Sequence, residues 1–201
     1  MQYKSTIRAC FAGYVVQAVV NNFVPLLFLT FQSHYGIPLS QVTLLITINF
    51  ALQLAVDGVS VFFIDRIGYR VSIVAAHLFA GAGLIMLGTL PFAMPDPYIG
   101  LLISIGFYAV GGGLIEVLIS PIVEACPTDK KSAAMSLLHS FYCWGHVMVV
   151  LVSTGYFAIF GIENWRFLAL AFASVPLFNA FYYMAVPIRT LEEKNGEESM
   201  S

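Results

Sequence analysis

One carboxylate lies in the middle of an apolar stretch of this sequence. Two aliphatic residues separate Glu116 from glycines 111 to 113, and Glu116 lies within the apolar run 98–125. A carboxylate at the centre of a bilayer costs about 3 kcal/mol on insertion scales, so such residues are rare and commonly belong to a solute or proton path. The small glycines also let another helix or a ligand approach closely. The pattern predicts a solute-binding site centred on Glu116.

Other polar side chains recur every three or four residues, which places each set on one helix face. The sets are Tyr14, Gln17 and Asn21, with Asn22 beside them, on the first run; Asn49, Gln53, Asp57 and Ser60 on the second; Gly113, Glu116, Ser120 and Glu124 on the fourth; and Ser136, His139, Cys143, His146 and Ser153 on the fifth. The third and sixth runs carry almost nothing comparable. We therefore expect helices one, two, four and five to surround a wet interior, with three and six outside against lipid. The alternative is hydrogen bonding across dry helix contacts.

The composition is that of a protein whose solvent is lipid. Hydrophobic residues make up 59% of the 201 residues, charged residues only 10%, and the mean hydropathy is +0.86. A soluble domain carries about 25% charged residues, and no basic patch here suggests a nucleic-acid partner. Because backbone groups in lipid must bond within their own segment, apolar runs of roughly 20 residues predict an all-α membrane protein. The six runs, which predict six transmembrane helices, are about 9–31, 41–64, 72–94, 98–125, 133–160 and 166–188.

The basic residues predict the orientation of these helices. Eight of the nine fall on one side of an alternating six-span path, and only Arg166 falls on the other. Basic loops stay in the cytoplasm, so we expect an integral, multi-pass cell-membrane protein with both termini cytoplasmic. Residues 1–188 would form one six-helix unit, and residues 189–201 an acidic cytoplasmic tail. The eight are Lys4, Arg8, Arg66, Arg70, Lys130, Lys131, Arg189 and Lys194.

A charged loop joins the second and third runs. It carries Asp65 at a helix end, the guanidinium groups of Arg66 and Arg70, and Gly68, which permits a left-handed turn. Such a loop can form charge pairs that hold the cytoplasmic side of the protein shut. The alternative is a solvated loop that serves only the orientation.

This loop resembles the signature of the major facilitator superfamily of secondary transporters, in which a helix-end Asp is followed by Arg, Gly and a second basic residue. Asp65, Arg66, Gly68 and Arg70 match it, and Val61 replaces the usual upstream glycine. The resemblance implies two six-helix halves, each a three-plus-three inverted repeat. These six runs would be the N-terminal half, with the C-terminal half absent. We therefore expect a fragment, a truncated protein or a subunit that pairs with a second six-helix half.

Within the superfamily, three places are similar to the fucose/galactose–proton symporter group: Asn21-Asn22, the span-four motif from Gly111 through Glu116 to Pro121, and His139-x-Phe141-x-x-x-Gly145. In that group the span-four carboxylate takes part in sugar binding and proton coupling, which implies this role for Glu116. The group's first-span acid falls near Pro25, so that acid is missing.

The leading hypothesis is a secondary transporter of a small polar solute, most readily a sugar, coupled to a proton or cation. Hydrogen bonds to its hydroxyls would come from Gln17, Asn21, Asn22, Gln53 and His139, and apolar faces for its ring from Tyr14 and Phe141. The lipid bilayer, the solute and the coupling ion are the expected partners.

Two alternatives stay open. One is a half-protein that needs a partner half or is inactive alone. The other, more remote, is an intramembrane metalloenzyme in which His139 and His146 join Glu116 or Glu124 as ligands. The sequence has no HExxH motif and no nucleophile motif, so we expect no enzyme, no cofactor and no resident metal.

Overall fold

The computed structural model describes residues 3–60, 62–127 and 131–189. Within these ranges, six segments are long and apolar enough to cross a membrane. The prediction of an all-α protein with six transmembrane helices is confirmed. Val61, Lys130, Lys194 and residues 190–201 of the predicted tail lie outside the described residues. The six segments are span 1 (Lys4–Tyr35), span 2 (Leu39–Ser60), span 3 (Tyr69–Ala93), span 4 (Pro97–Ala125), span 5 (Lys131–Phe160) and span 6 (Ile162–Ala185).

Span 1 is broken rather than continuous. It consists of a helix at Lys4–Asn22, a 3₁₀ turn at Val24–Leu27 and a second helix at Phe28–Tyr35. Pro25 has no amide hydrogen, so it cannot donate to the carbonyl of Asn21, as a residue four positions later in a helix would. The break therefore lies directly after the polar face of span 1.

Short elements join the other spans. A single turn at Ile64–Ile67 follows span 2, and Gly68 then has a positive φ of 91°, a conformation that favours glycine. Span 6 begins with a 3₁₀ turn at Ile162–Asn164 and continues as a helix from Trp165 to Ala185. Asp96 caps the N-terminus of span 4, because its carboxylate accepts a hydrogen bond from the Tyr98 amide at 2.9 Å.

Span 4 lies at the centre of the bundle, and its three consecutive glycines face three different directions. Gly111 lies against the backbone of Ala76 and Ala80 in span 3, and Gly113 lies against the backbone of Gln53 in span 2. Gly112, between them, faces the side chains of spans 1 and 2. Successive helical residues are rotated by about 100°, so three glycines in a row allow close approach on most of the circumference.

We expected spans 3 and 6, with almost no polar side chains of this kind, to lie outside against lipid. Within the six-span unit they are nevertheless more buried than spans 2 and 5. The apolar windows of spans 3 and 6 are 56% and 44% buried, whereas those of spans 2 and 5 are only 22% and 17% buried. Spans 3 and 6 pack closely against each other and expose phenylalanines on their far sides. The most exposed helices in this chain are therefore spans 2 and 5.

Spans 3 and 6 also share a buried polar pair, His77 and Asn179. His77 Nδ1 lies 2.8 Å from the carbonyl oxygen of Ile73, and because a carbonyl only accepts, Nδ1 carries the hydrogen. Asn179 Nδ2 donates to His77 Nε2 at 2.9 Å and to the carbonyl of Ala9 in span 1 at 3.0 Å. This His77–Asn179 clamp connects spans 1, 3 and 6. Each residue looks isolated in its own apolar run, so the helical spacing gave no sign of the pair.

Candidate functional site

Spans 1, 2, 4 and 5 surround a cavity of about 470 Å³. Six of the eight residues expected to contact the solute are on its wall. Glu116 is exposed to this space, although it lies near the middle of span 4. The lining residues are Tyr14, Gln17, Asn21, Phe50, Gln53, Leu54, Asp57, Glu116, His139 and Tyr142.

A chain of amide side chains extends from Glu116 along one side of the cavity. Gln17 Nε2 donates to Glu116 Oε2 at 3.2 Å and to Gln53 Oε1 at 3.0 Å. Gln53 Nε2 then donates to Asn21 Oδ1 at 2.8 Å and to Asn49 Oδ1 at 3.0 Å. Asn49 Nδ2 also donates to Asn21 Oδ1, at 3.3 Å. We call these four residues the amide chain. It connects the coupling carboxylate expected on span 4 to spans 1 and 2.

One oxygen of the amide chain lacks a hydrogen-bond partner among the described residues. Gln17 is only 3% exposed, and its Oε1 has no hydrogen-bond partner within the described part of the protein. A Cβ built on Gly112 would lie 3.1 Å from this oxygen. The glycine therefore makes room for the Gln17 amide beside span 4.

The opposite side of the cavity is aromatic. The Tyr14 hydroxyl lies 3.1 Å from the Ser120 hydroxyl, which holds the phenol ring against span 4. The ring centroid of Tyr14 is 5.7 Å from that of His139 and 6.4 Å from that of Tyr142, both on span 5. A cavity with convergent polar groups on one side and aromatic rings on the other is typical of small-molecule sites.

The charged loop holds spans 3 and 6 together at one end of the bundle. Arg70 donates from Nη1 to the carbonyls of Tyr183 and Met184, at 2.9 Å each, in the last turn of span 6. A cation at a helix C-terminus is stabilised by the helix dipole. Asp65 and Arg66 are exposed and form no ion pair with the described residues.

The sequence itself identifies the family. Residues 9–200, nearly the whole chain, match the Major Facilitator Superfamily. The chain belongs to this superfamily. No curated protein matches it.

The superfamily is one of secondary transporters, and its half-bundle architecture accounts for the six spans and for the cavity between spans 1, 2, 4 and 5. The metalloenzyme alternative required His139 and His146 to meet a carboxylate. His139 lines the cavity, whereas His146 does not. Within residues 3–60, 62–127 and 131–189, no three His, Cys, Asp or Glu side chains are grouped as a metal site would require.

Two of the residues expected to contact the solute do not line the cavity of this superfamily member. Asn22 donates to the carbonyl of Ala18 in its own helix at 2.8 Å. Phe141 stacks on Phe11, with centroids 4.4 Å apart and rings 7° from parallel. Asn22 follows the lining residue Asn21, and Phe141 precedes the lining residue Tyr142. Since successive helical residues are rotated by about 100°, each side chain points away from the cavity.

Asp57 lines the cavity but was not among the expected solute contacts. It lies four residues after Gln53, on the same face of span 2, and the spacing contained that signal. Its Oδ1 is buried and has no hydrogen-bond partner among the described residues. The cavity of this superfamily member therefore carries two carboxylates, Asp57 and Glu116.

Proposed function

We propose that this protein transports a small polar solute, most readily a sugar, by alternating access coupled to a proton or another cation. The observation that supports it is the cavity in which Glu116 meets the amide chain. Gln17, Asn21 and Gln53 supply amide groups that match sugar hydroxyls, which both donate and accept hydrogen bonds. Tyr14 supplies an aromatic face for the sugar ring.

Glu116 is the proposed site of the coupling ion. It is the carboxylate in the middle of span 4, it lines the cavity and it accepts a hydrogen bond from Gln17. Asp57 lies on the wall of the same cavity and supplies a second carboxylate to a proton or cation. As the cavity changes sides, the access of water to both groups changes, which allows uptake of the ion on one side and release on the other.

A second six-helix half is the proposed partner. Spans 2 and 5 flank the cavity and are the least buried spans of the chain, at 22% and 17%. A cavity wall made of helices needs an opposing wall to enclose a solute, and the exposed faces of spans 2 and 5 are where such a half would pack. With both termini on the cytoplasmic side, as the basic residues predict, Arg70, Asp65 and Arg66 would form the cytoplasmic latch.

The test is uptake by proteoliposomes under an inward proton gradient, with radiolabelled D-galactose and L-fucose as probes. Glu116→Gln should abolish accumulation while insertion and helical content stay unchanged, because the amide keeps the size of the side chain but binds no proton. Glu163→Gln is the matched control, since Glu163 is exposed at the start of span 6 and away from the cavity. Undiminished accumulation by Glu116→Gln would exclude Glu116 as the coupling site.

The half-protein alternative is tested in the same assay. The chain is reconstituted alone and after co-expression with a C-terminal six-helix half of a superfamily transporter. Uptake only after co-expression would show that this half needs a partner, in accordance with the exposure of spans 2 and 5. Uptake by the chain alone would contradict that requirement.

A further inference from the structure

Gln17 donates hydrogen bonds in both directions, to Glu116 and to the rest of the amide chain. Gln17 uses both hydrogens of Nε2, one on Glu116 Oε2 and one on Gln53 Oε1. Gln53 likewise uses both hydrogens of Nε2, on Asn21 Oδ1 and Asn49 Oδ1. An ionised carboxylate only accepts hydrogen bonds, whereas a protonated one also donates. The observed arrangement is therefore the one expected when Glu116 Oε2 carries no hydrogen.

A proton on Glu116 Oε2, the oxygen that faces Gln17, is incompatible with this arrangement, whereas a proton on Oε1 leaves it unchanged. The carboxyl O–H would face Gln17 Nε2, which is also a donor, at the present distance of 3.2 Å. Rotation of the Gln17 amide removes the conflict, because Oε1 then accepts from the carboxyl. Oε1 of Gln17 would then face Oε1 of Gln53, so Gln53 must rotate as well. The same argument applies to Asn21 and Asn49 at the end of the chain.

The surroundings of Gln17 leave one of its two amide atoms without a partner in either orientation. In the observed orientation Oε1 has no partner and lies beside Gly112. After rotation Nε2 would occupy that place, equally without a partner. An unsatisfied buried polar atom is costly, but each orientation contains one, so the cost does not favour either. The protonation state of Glu116 is left to decide between them.

We propose that Gln17 is a positioning residue that transmits the protonation state of Glu116 to Asn21 at the solute-facing end of the chain. The proposal rests on the proposed function of Glu116 as the coupling site. With Glu116 ionised, Asn21 Oδ1 is occupied by Gln53 and Asn49, and its Nδ2 is free to donate to a solute. When Glu116 takes a proton from cavity water on Oε2, Asn21 rotates and offers Oδ1 as an acceptor. Proton binding therefore changes the hydrogen-bond pattern that the solute meets.

The other titratable groups around Glu116 do not bond to the amide chain. Asp57 on span 2, Tyr14 on span 1, and His139 and Tyr142 on span 5 line the same cavity. Asp57 and His139 make no hydrogen bond to the amide chain, and Tyr14 bonds to Ser120 instead. Gln17 is thus the side chain that bonds both to Glu116 and to the rest of the amide chain.

The experiment monitors Glu116 and Asn21, at the two ends of the hydrogen-bonded path, separately. It uses the full protein in lipid nanodiscs, without solute. Infrared difference spectra against pH report protonation of Glu116, with its carboxyl band assigned by loss in Glu116→Gln and separated from that of Asp57 by Asp57→Asn. Nitrogen-15 NMR signals of the Asn21 and Gln53 side-chain amides report the orientation of the chain. In the wild type, both readouts should change with the same midpoint.

Gln17→Met keeps the length of the side chain but removes both amide atoms. We expect Glu116 to titrate in this variant while the Asn21 signal no longer responds. Gln32→Met, also in span 1 but away from the cavity, is the matched control and should behave as wild type. An Asn21 signal that stays constant while wild-type Glu116 titrates would overturn the proposal. An Asn21 response in Gln17→Met equal to that of wild type would do the same.

Gly112→Ala supplies a second variant if Gln17→Met does not fold. Its Cβ would lie 3.1 Å from Gln17 Oε1 and 3.4 Å from Gln53 Cδ, which hinders rotation of both amides while all four amides remain. We expect Glu116 to titrate with the Asn21 response lost, and an Asn21 response equal to that of wild type would contradict the proposal.

Solute binding separates the proposal from the function on which it rests. In the wild type, the galactose or fucose Kd should differ by roughly 5-fold or more between the two protonation states, as a coupling between two sites requires. In Gln17→Met the Kd should become independent of pH. If neither sugar binds the wild type, the proposed sugar transport fails, but the infrared and NMR readouts still decide whether Gln17 transmits the protonation state.

Discussion

Two buried polar networks involve span 1, and they differ in where they end. The His77–Asn179 clamp ends on backbone carbonyls, those of Ile73 and Ala9, deep between spans 1, 3 and 6. The amide chain ends at the carboxylate of Glu116 and at the wall of a 470 Å³ cavity. One network is closed within the protein, and the other is open to a ligand.

The difference separates a structural role from a functional one. Both networks consist of residues that are rare in lipid-facing helices, so composition alone does not distinguish them. The clamp uses both hydrogens of Asn179 Nδ2 and both ring nitrogens of His77, whereas the amide chain leaves Gln17 Oε1 without a partner among the described residues. A network that fixes helices satisfies its atoms internally, and one that binds a ligand keeps some of them available.

The largest effect is expected at the glycine of span 4 that packs against the part of span 3 that carries His77. Gly111 of span 4 lies against Ala76 and Ala80, on either side of His77, and a Cβ there would lie 2.5 Å from their backbone atoms. Gly111→Ala should lower the free energy of unfolding by about 3 kcal/mol, because backbone contacts do not give way. Thermal unfolding in detergent measures it.

Gly106→Ala is the control for that variant on the same helix. The nearest atom to a Cβ at Gly106 is Leu52 Cδ1, at 3.9 Å. Alanine is the better helix former by about 0.5–1 kcal/mol, so this variant should be neutral or slightly more stable. Equal stability of the two variants would show that spans 3 and 4 do not touch closely at Gly111.

An intermediate effect is expected when the clamp loses its amide. Asn179→Leu leaves His77 Nε2 without its donor and removes the side-chain hydrogen bond to the Ala9 carbonyl, and the loss should be about 2 kcal/mol of unfolding free energy. Asn164→Leu is the control, because the Asn164 amide donates to the carbonyl of Phe160, four residues earlier, and does not contact the clamp. Since an apolar pair can replace a polar one, adding His77→Leu should recover part of the loss. A double variant less stable than Asn179→Leu would show that His77 stabilises the fold without Asn179.

The smallest stability effect is expected in the open network. Gln53→Leu removes three hydrogen bonds of the amide chain, but water in the cavity can replace them, so the expected loss is about 0.6 kcal/mol, typical of a polar contact between membrane helices. Binding of galactose or fucose should weaken strongly in the same variant. A loss of stability as large as that of Asn179→Leu, with binding intact, would remove the distinction between the two networks.

Most of the fold could be predicted from hydropathy and proline positions. The six apolar runs correspond to the six spans, because each is the length of a bilayer core. The break inside span 1 was not predicted, although Pro25 was the residue that causes it. A proline within an apolar run is compatible with either a kinked or an interrupted helix, and the neighbouring helices decide which forms.

The site was predictable where one helix face sufficed. Tyr14, Gln17 and Asn21 share a face by their spacing, and Glu116 stands out by its charge, so all four were expected at the cavity where the structure places them. The register between helices was not predictable from spacing. That register is what turns Phe141 onto Phe11 and what pairs His77 with Asn179 across spans 3 and 6.

The clamp holds span 1 through the carbonyl of Ala9, an atom that every amino acid possesses. Replacing the side chain at this position therefore leaves the acceptor in place, and only bulk can disturb it, since Ala9 is fully buried. Among evolutionary relatives, substitutions at 77 and 179 should occur together, whereas position 9 should vary freely among small residues.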